Sequence, residues 1–185
     1  MGYDVYGLSP INHLGIEKPL YPDNFNKLKK HEQEDHWARV SAYEEAVPGD
    51  YWRSNVWWWR GLWSYTVDVC LNVMSDKHID AGMSNDGIKV PKTTAIRMAR
   101  LLRKAEEDGT LEKYEKSYKE WQDKLEDEEC VGCNGTGIHN SDKKSCNPCK
   151  GTGKTRNFMA SYPFKTDVAK RWRLFVESSG GFQVW

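Results

Sequence analysis

Long apolar runs are missing from this 185-residue sequence, and so is an excess of either charge. No stretch approaches the roughly 20 apolar residues that a membrane-spanning helix needs. The opening MGYDVYGLSP lacks the basic and then apolar pattern of a signal peptide. Lys and Arg together number 27, as do Asp and Glu, so no overall field attracts the chain to nucleic acid or to an anionic membrane. We therefore expect a cytoplasmic protein with no membrane partner.

A recognisable set of catalytic residues is also missing. The tripeptide GKT at 153–155 resembles the end of a phosphate-binding loop, but Pro148 stands where that loop requires its first glycine. His31 and His36 are five positions apart, whereas a zinc-protease helix has its two histidines four apart, so we interpret both as part of a solvated charged face. No serine lies in a G-x-S-x-G motif. The sequence therefore favours a non-catalytic protein.

Cysteine is scarce, and four of the five cysteines form two C-x-x-C pairs. Cys130 and Cys133 belong to CVGCNGTG, Cys146 and Cys149 belong to CNPCKGTG, and twelve residues separate the pairs. Each pair can present two sulfurs to one metal, and four thiolates complete the tetrahedral shell of zinc without leaving a position for water. The sequence therefore predicts one structural Zn²⁺. Coincidental pairs or a redox dithiol are the alternative interpretation.

Each C-x-x-C pair is followed by two glycines at the same spacing, Gly135 and Gly137 in the first unit and Gly151 and Gly153 in the second. Glycine adopts backbone conformations that other residues disfavour, so these positions let the chain turn tightly around a metal. A short glycine-rich hairpin has little apolar area to bury, and we expect its folding to depend on the metal. Cys70 lies apart in an apolar stretch and is interpreted as a core residue.

These two units resemble the cysteine-rich region of DnaJ-type chaperones. The resemblance covers residues 130–153 only. That chaperone region has four such repeats and two zinc sites, whereas this chain has two repeats, which allows one site. The chain also lacks the His-Pro-Asp signature of a J domain. The resemblance therefore implies a borrowed zinc module.

The remainder of the chain resembles a family of uncharacterised proteins of bacteriophages and bacteria. The shared landmarks are MGYDVYG at the start, YWRSNVWWWRGLW at 51–63, NDG at 85–87, SYPF at 161–164 and the closing GGFQVW. The resemblance implies a phage factor acting in the host cytoplasm, and it implies no particular activity.

Residue patterns predict an α+β protein, mainly helical, with a small sheet and an inserted zinc-binding β-hairpin. We expect 1–129 and 154–185 to form one core domain and 130–153 to be the inserted module. Alternating residues predict a strand from Tyr3 to Tyr6, and Phe182 to Trp185 is expected to return as a terminal strand. Apolar residues at helical spacing predict antiparallel helices on either side of Gly109. A further helix is expected to begin at Thr166 or Asp167 and to end before Gly180. The stretch from Ser75 to Lys89 is expected to consist of turns.

Tryptophan is over-represented, with five of the nine copies in the segment from Tyr51 to Trp63. We expect residues 51–59 to be extended, which would point Trp57 and Trp59 to one side and Trp58 to the other. The alternative interpretation is a buried aromatic core with its arginines in ion pairs. The candidate ligand or partner surface comprises Arg53, Asn55, Trp57, Trp58, Trp59, Arg60, Asn85 and Asp86.

Three functional hypotheses follow. The first is a non-catalytic interaction protein that engages an unidentified protein, such as a host component, with zinc fixing a protruding module. The second is a protein that binds or sequesters a nucleotide or nucleotide-derived signal between aromatic and arginine side chains. The third is a single-stranded nucleic-acid binder that uses the basic residues near the metal, Lys143, Lys144, Lys150, Lys154 and Arg156.

Overall fold

The structure is a computed structural model that describes residues 2–139, 141 and 143–185. Met1 of the opening motif, and Asn140 and Asp142 of the predicted zinc module, lie outside the described residues. The chain combines helices with a small antiparallel sheet, so the predicted α+β class is confirmed.

Six α-helices account for most of the regular structure in the described part of the chain. They are α1 (Lys30–Ala46), α2 (Val56–Cys70), α3 (Asp76–Ala81), α4 (Lys92–Glu107), α5 (Thr110–Asp123) and α6 (Thr166–Ser178). Gly109 separates α4 from α5 with a φ of 76°, a left-handed conformation that glycine adopts without a steric cost. The predicted pair of helices on either side of this residue is therefore present.

The strands are short and entirely antiparallel. They are β1 (Gly2–Gly7), β2 (Tyr51–Asn55), β3 (Ile88–Pro91), β4 (Glu128–Glu129), β5 (Lys154–Thr155) and β6 (Gly181–Val184). Four of them form one sheet in the order β2-β1-β6-β3, and β4 pairs with β5 beside the cysteine segment. The strands predicted at both ends of the sequence are the two central strands of this sheet.

One face of the sheet carries the core. Tyr3 and Val5 of β1 are buried, and Phe182 and Val184 of β6 are buried beside them. Alternate residues of a strand point to opposite faces, so the intervening Asp4 lies on the other side. Helices α2, α4 and α6 cover the apolar face and pack against one another.

Aromatic rings fill the centre of this core. Trp59 stacks on Tyr3 with ring centroids 5.0 Å apart and on Trp63 at 5.2 Å, and it meets Trp172 edge to face at 5.3 Å. The indole Nε1 of Trp59 donates a hydrogen bond to the Gly82 carbonyl at 2.6 Å. Trp59 and Trp63 therefore belong to the core, in agreement with part of the alternative interpretation of that segment.

The predicted extended conformation of residues 51–59 is wrong beyond residue 55. Strand β2 ends at Asn55, whose side-chain oxygen accepts a hydrogen bond from the Trp58 backbone at 3.1 Å and caps α2. Trp57 and Trp59 consequently do not share a face: Trp59 is fully buried, whereas Trp57 is exposed. The aromatic run obscured the helix start because aromatic residues are common in strands, and the cap outweighs that preference.

The region 75–89, predicted to consist of turns, also contains regular structure. Ser75 caps the short helix α3 by accepting a hydrogen bond from the His78 backbone. Strand β3 begins at Ile88 and pairs with β6 at the edge of the sheet. Long-range pairing therefore orders a segment whose local composition favours turns.

Most of the buried apolar side chains among the described residues belong to two separate clusters. The larger one lies between the sheet and the helices, and the smaller one consists of the four cysteines alone. The division into a core of 1–129 with 154–185 and a module of 130–153 stays a prediction. Among the described residues, none of the helices combines the length and the apolar character needed to cross a lipid bilayer.

Candidate metal centre

Four sulfur atoms from two stretches of sequence, sixteen positions apart, meet at one point. The Sγ atoms of Cys130, Cys133, Cys146 and Cys149 lie within 4.8 Å of one another, and all four side chains are buried. Cys130 Sγ lies 3.7 Å from Cys146 Sγ, and Cys133 Sγ lies 3.7 Å from Cys149 Sγ. A disulfide would need about 2.05 Å. The thiols are therefore unbridged, and the group can hold one metal ion.

The backbone of each unit turns through left-handed conformations at the same three positions. In the first unit Asn134, Gly135 and Gly137 have φ values of 51°, 75° and 73°. The matching residues sixteen positions later, Lys150, Gly151 and Gly153, have 52°, 84° and 76°. A side chain at the second glycine of either unit would also collide with backbone. A Cβ at Gly137 would lie 2.3 Å from the Gly151 carbonyl oxygen, and a Cβ at Gly153 would lie 2.1 Å from the Gly135 carbonyl oxygen. The close approach of the two units therefore requires glycine at both sites.

The two units hold each other through reciprocal hydrogen bonds. The Cys130 backbone N–H donates to the Gly153 carbonyl at 2.9 Å, and the Cys146 N–H donates to the Gly137 carbonyl at 2.9 Å. This arrangement is an approximate two-fold symmetry that relates the first repeat to the second. Two sequence units sixteen positions apart therefore occupy equivalent positions in the structure, and each unit contributes two sulfur atoms to the cluster.

Backbone N–H groups also point at the sulfurs. Gly137 donates to Cys133 Sγ at 3.2 Å, and Gly153 donates to Cys149 Sγ at 3.4 Å. Burial disfavours ionisation of Cys149, but the N–H groups of Gly153 and Gly151 and the adjacent thiols outweigh it and lower the pKa of that thiol. Burial raises the pKa of its neighbour Cys146. The site therefore favours a thiolate, the form that binds metals.

Cys70 and His139 take no part in the cluster. Cys70 lies in the main core, where burial raises the pKa of its thiol to about 12, so the thiol stays protonated and unreactive. His139 is exposed on the connection between the two units, with its Nδ1 2.9 Å from the Ser141 hydroxyl. Four thiol ligands form a closed shell, which is typical of structural rather than catalytic metal sites.

The candidate surface residues do not form one site. Trp59 lies in the core and is accessible to no ligand, which corrects its assignment to that surface. Arg60 donates to the Met83 sulfur at 3.3 Å, and the Asn85 side chain donates to the Gly2 carbonyl at 3.1 Å, where it supports the sheet. Asp86 is exposed in the following turn. Because Trp57, Trp58 and Trp59 are on a helix and not a strand, their side chains diverge.

Three of those residues, Arg53, Asn55 and Trp58, do line a common cleft of about 660 Å³ beside β2. Lys165, Val168 and Arg171 of the α6 region form its other wall. Sequence patterns did not suggest the α6 residues, because they are separated from β2 by more than a hundred positions. Only the packing of α6 against the sheet brings the two segments together.

A second surface feature that sequence patterns missed lies at the root of the cysteine segment. We call Trp57, Phe158 and Tyr162 the aromatic patch. Ring centroids are 5.2 Å apart for Trp57 and Phe158, 5.6 Å for Trp57 and Tyr162, and 5.4 Å for Phe158 and Tyr162. Trp57 and Phe158 are 41% and 52% exposed, so the patch is a cluster of aromatic rings at the surface.

Comparison of the chain with protein-family models, curated proteins and solved structures found no match. The resemblances to the DnaJ-type region and to the phage family therefore rest on the quoted motifs alone.

Proposed function

We propose that this chain is a non-catalytic zinc-binding interaction protein, in which zinc braces residues 130–153 and a protein partner docks beside them. The observation that carries the proposal is the closed set of four converging sulfurs. A metal with four protein ligands has no position at which a substrate or water can bind, so its contribution is to hold the fold. The surface that the metal holds in place beside residues 130–153 then serves to recognise the protein partner.

The sulfur spacing supports zinc. A regular tetrahedron with zinc–sulfur bonds of about 2.3 Å has sulfur–sulfur edges of about 3.8 Å. The two 3.7 Å separations agree with that edge. Four thiolates in tetrahedral geometry select zinc or iron. Zinc is the proposed ion because the site is buried and closed, which suits a metal without redox chemistry.

The aromatic patch is the surface that we propose for the partner. Large aromatic side chains are enriched at the centres of protein interfaces, where they contribute most of the binding energy. The patch is linked to the metal site: Phe158 donates its backbone N–H to the Glu128 carboxylate at 3.4 Å, and Glu128 begins the strand that leads to Cys130. Loss of the metal is therefore expected to loosen the patch.

The partner that we propose is a host protein, which follows from the resemblance to phage proteins. The nucleic-acid alternative has less support, because the basic side chains of the cysteine segment are offset by the exposed acidic run 126–129 at its root. The nucleotide alternative has less support because Glu44 and Asp167 share the cleft with its three basic residues. Salt-sensitive binding to single-stranded DNA, or a nucleotide that raises the melting temperature, would favour these alternatives.

The metal is tested first. Elemental analysis and native mass spectrometry of the purified protein are expected to give one zinc per chain, and Cys133→Ser to abolish it. Cys70→Ala is the matched control, because it removes a buried cysteine outside the cluster and is expected to leave the zinc content unchanged. Absence of bound metal in the parent protein would refute the zinc assignment.

The interaction is tested by capture from a bacterial lysate with zinc-loaded protein. Trp57→Ala and Phe158→Ala are expected to lose the captured partner while they keep their zinc. Trp37→Ala is the control, since Trp37 is 51% exposed on α1 and is not part of the patch. If all three variants retain the partner equally, the aromatic patch is not the docking surface.

A further inference from the structure

Strand β2 lies at the edge of the four-stranded sheet and has one side without a strand partner among the described residues. Gly7 donates its N–H to the Asp50 carbonyl at 2.9 Å, and the register then pairs Val5 with Trp52 and Tyr3 with Ser54. In an antiparallel ladder alternate residues direct their backbone groups to opposite sides. The N–H and C=O groups of Tyr51 and Arg53 therefore point away from the sheet.

This outer side is open. The cleft of about 660 Å³ follows all five residues of β2, and its far wall is the beginning of α6 with Val168 and Arg171. Edge strands in natural proteins are usually protected by a covering element, a bulge or a proline, because exposed backbone groups attract another strand. Here the cleft lies between the edge and the beginning of α6.

The two faces of the groove differ in character. On the core side, Trp52 packs against Trp172 and Phe175 with ring centroids 5.6 and 6.4 Å apart, and Val168 of the wall lies on the same side. On the solvent side, Arg53 projects beside Tyr51. A strand added along β2 would therefore place alternate side chains against the apolar core side and against Arg53, in a cleft that Glu44 and Asp167 also line.

The basic groups retain hydrogen-bonding capacity. The Arg53 guanidinium lies 3.7 Å from Asp4 and that of Arg171 lies 3.7 Å from Asp167, with the arginine side chains 72% and 65% exposed. Hydrogen bonds to carboxylates are about 2.7–2.9 Å long, so both contacts are loose. A carboxylate on a bound strand can pair with Arg53 at normal length.

We propose that the β2 edge binds an extended peptide segment of a partner protein by strand addition, with apolar residues on the core side and a carboxylate opposite Arg53. Strand addition obtains affinity from backbone hydrogen bonds and specificity from alternate side chains. A five-residue strand spans about 17 Å, which matches the length of β2. The inference goes beyond the proposed function, because neither the metal nor the aromatic patch contributes to it.

A second copy of this chain is a poorer occupant. Two β2 edges related by a two-fold axis would pair through the outward-facing residues, and the centred register places Arg53 opposite Arg53. Like charges directly opposite each other destabilise a strand pair. The partner segment is therefore expected to come from another protein.

The test uses a fluorescein-labelled, capped peptide Thr-Val-Glu-Val-Thr and fluorescence anisotropy with the zinc-loaded protein. In the expected antiparallel register the glutamate lies opposite Arg53 and directs its N–H toward β2, while the valine N–H groups point away. N-methylation of the glutamate is expected to weaken binding by about tenfold or more, whereas N-methylation of the first valine is expected to have little effect.

The second part of the test reverses the charge of the peptide glutamate and of Arg53. The Glu-to-Lys peptide is expected to bind about tenfold more weakly to the parent protein, and Arg53→Glu to reverse this preference. Arg97→Glu is the control, since Arg97 is exposed on α4 outside the cleft. Thermal unfolding confirms that the variants are folded.

Three results would overturn the inference: no saturable binding at millimolar peptide, equal losses from both N-methylated peptides, or displacement of the peptide by inorganic phosphate or ATP. The last result would assign the cleft to an anionic ligand. The proposed zinc-dependent interaction would survive each of these results, because its test measures zinc content and capture through the aromatic patch.

Discussion

The core between sheet and helices and the cysteine segment at 130–153 are stabilised by different physical means. The core buries several large aromatic rings, among them Trp59, Trp63 and Trp172, away from water. In the described part of the cysteine segment the four cysteines are the only buried side chains, and Val131 and Ile138 are exposed. The core is stabilised by apolar burial, whereas the cysteine segment brings four thiol groups to a single point, where they can bind a metal.

The comparison shows how a short segment such as 130–153 can be ordered without a hydrophobic core. The reciprocal hydrogen bonds between the two units fix their relative position, but a hairpin of this size gains little from apolar burial. Bonds to a metal can replace that missing contribution. Loss of metal is therefore expected to affect the cysteine segment, and loss of a buried ring is expected to affect the core. Each of the following predictions changes one region and uses the other as the reference.

The largest effect is expected from metal removal. Metal binding contributes about 10–16 kcal/mol in small zinc-dependent folds, so a strong chelator is expected to unfold residues 130–153. Hydrogen exchange of the Cys130, Gly137 and Cys146 amides is expected to become fast. All nine tryptophans lie outside this segment, so the near-ultraviolet circular dichroism of the core is expected to persist. Global unfolding on chelation would show that the two regions are not separately stabilised.

The next largest effect is expected from Trp59→Ala. Trp59 is fully buried, stacks on two rings and donates a hydrogen bond to Gly82. Its removal leaves a cavity, and we expect the free energy of unfolding to fall by about 3–5 kcal/mol in urea titrations. Trp57→Ala, in the same helix but exposed, is expected to change it by about 1 kcal/mol or less. Similar losses for both variants would contradict the assignment of Trp59 to the core.

A smaller and local effect is expected from Gly137→Ala. The new Cβ would meet the Gly151 carbonyl oxygen at 2.3 Å, in a backbone conformation with φ of 73°. We expect zinc affinity, measured by chelator competition, to fall by at least about tenfold, with core stability unchanged. Gly132→Ala is the matched control, because its nearest neighbour would lie at 3.4 Å and its φ is not positive. Equal affinities for the two variants would argue against close packing of the units.

The smallest effect is expected from the paired substitutions Thr136→Val and Thr152→Val. Each hydroxyl donates to the carbonyl of the preceding cysteine, at 2.7 Å to Cys133 and at 2.8 Å to Cys149. Loss of one such hydrogen bond costs about 1 kcal/mol, so zinc affinity is expected to fall about fivefold in each case. The two losses are expected to be equal because the units are related by approximate symmetry. Thr93→Val on the exposed side of α4 is the control.

Much of the fold was accessible from local patterns. The strands at the two ends of the sequence, the helices around Gly109 and the helix before the final strand follow from alternation, helical spacing and glycine positions. The errors at Trp57 and in 75–89 occurred where a capping side chain or a distant strand outweighed local composition. His36 was interpreted as part of a solvated face, yet it is buried against Phe25, because an irregular segment folds back over α1.

The repeated C-x-x-C-x-G-x-G unit determined the cysteine cluster from sequence alone, because both its ligands and its turns are local and the two copies are only sixteen positions apart. The tertiary structure alone decided that Trp59 is core, that Trp57 joins Phe158 at the surface, and that β2 is an edge strand facing a cleft. Each of these outcomes depends on which segments, distant in sequence, pack together. No local pattern encodes that choice, since it is made by pairing and burial over the whole chain.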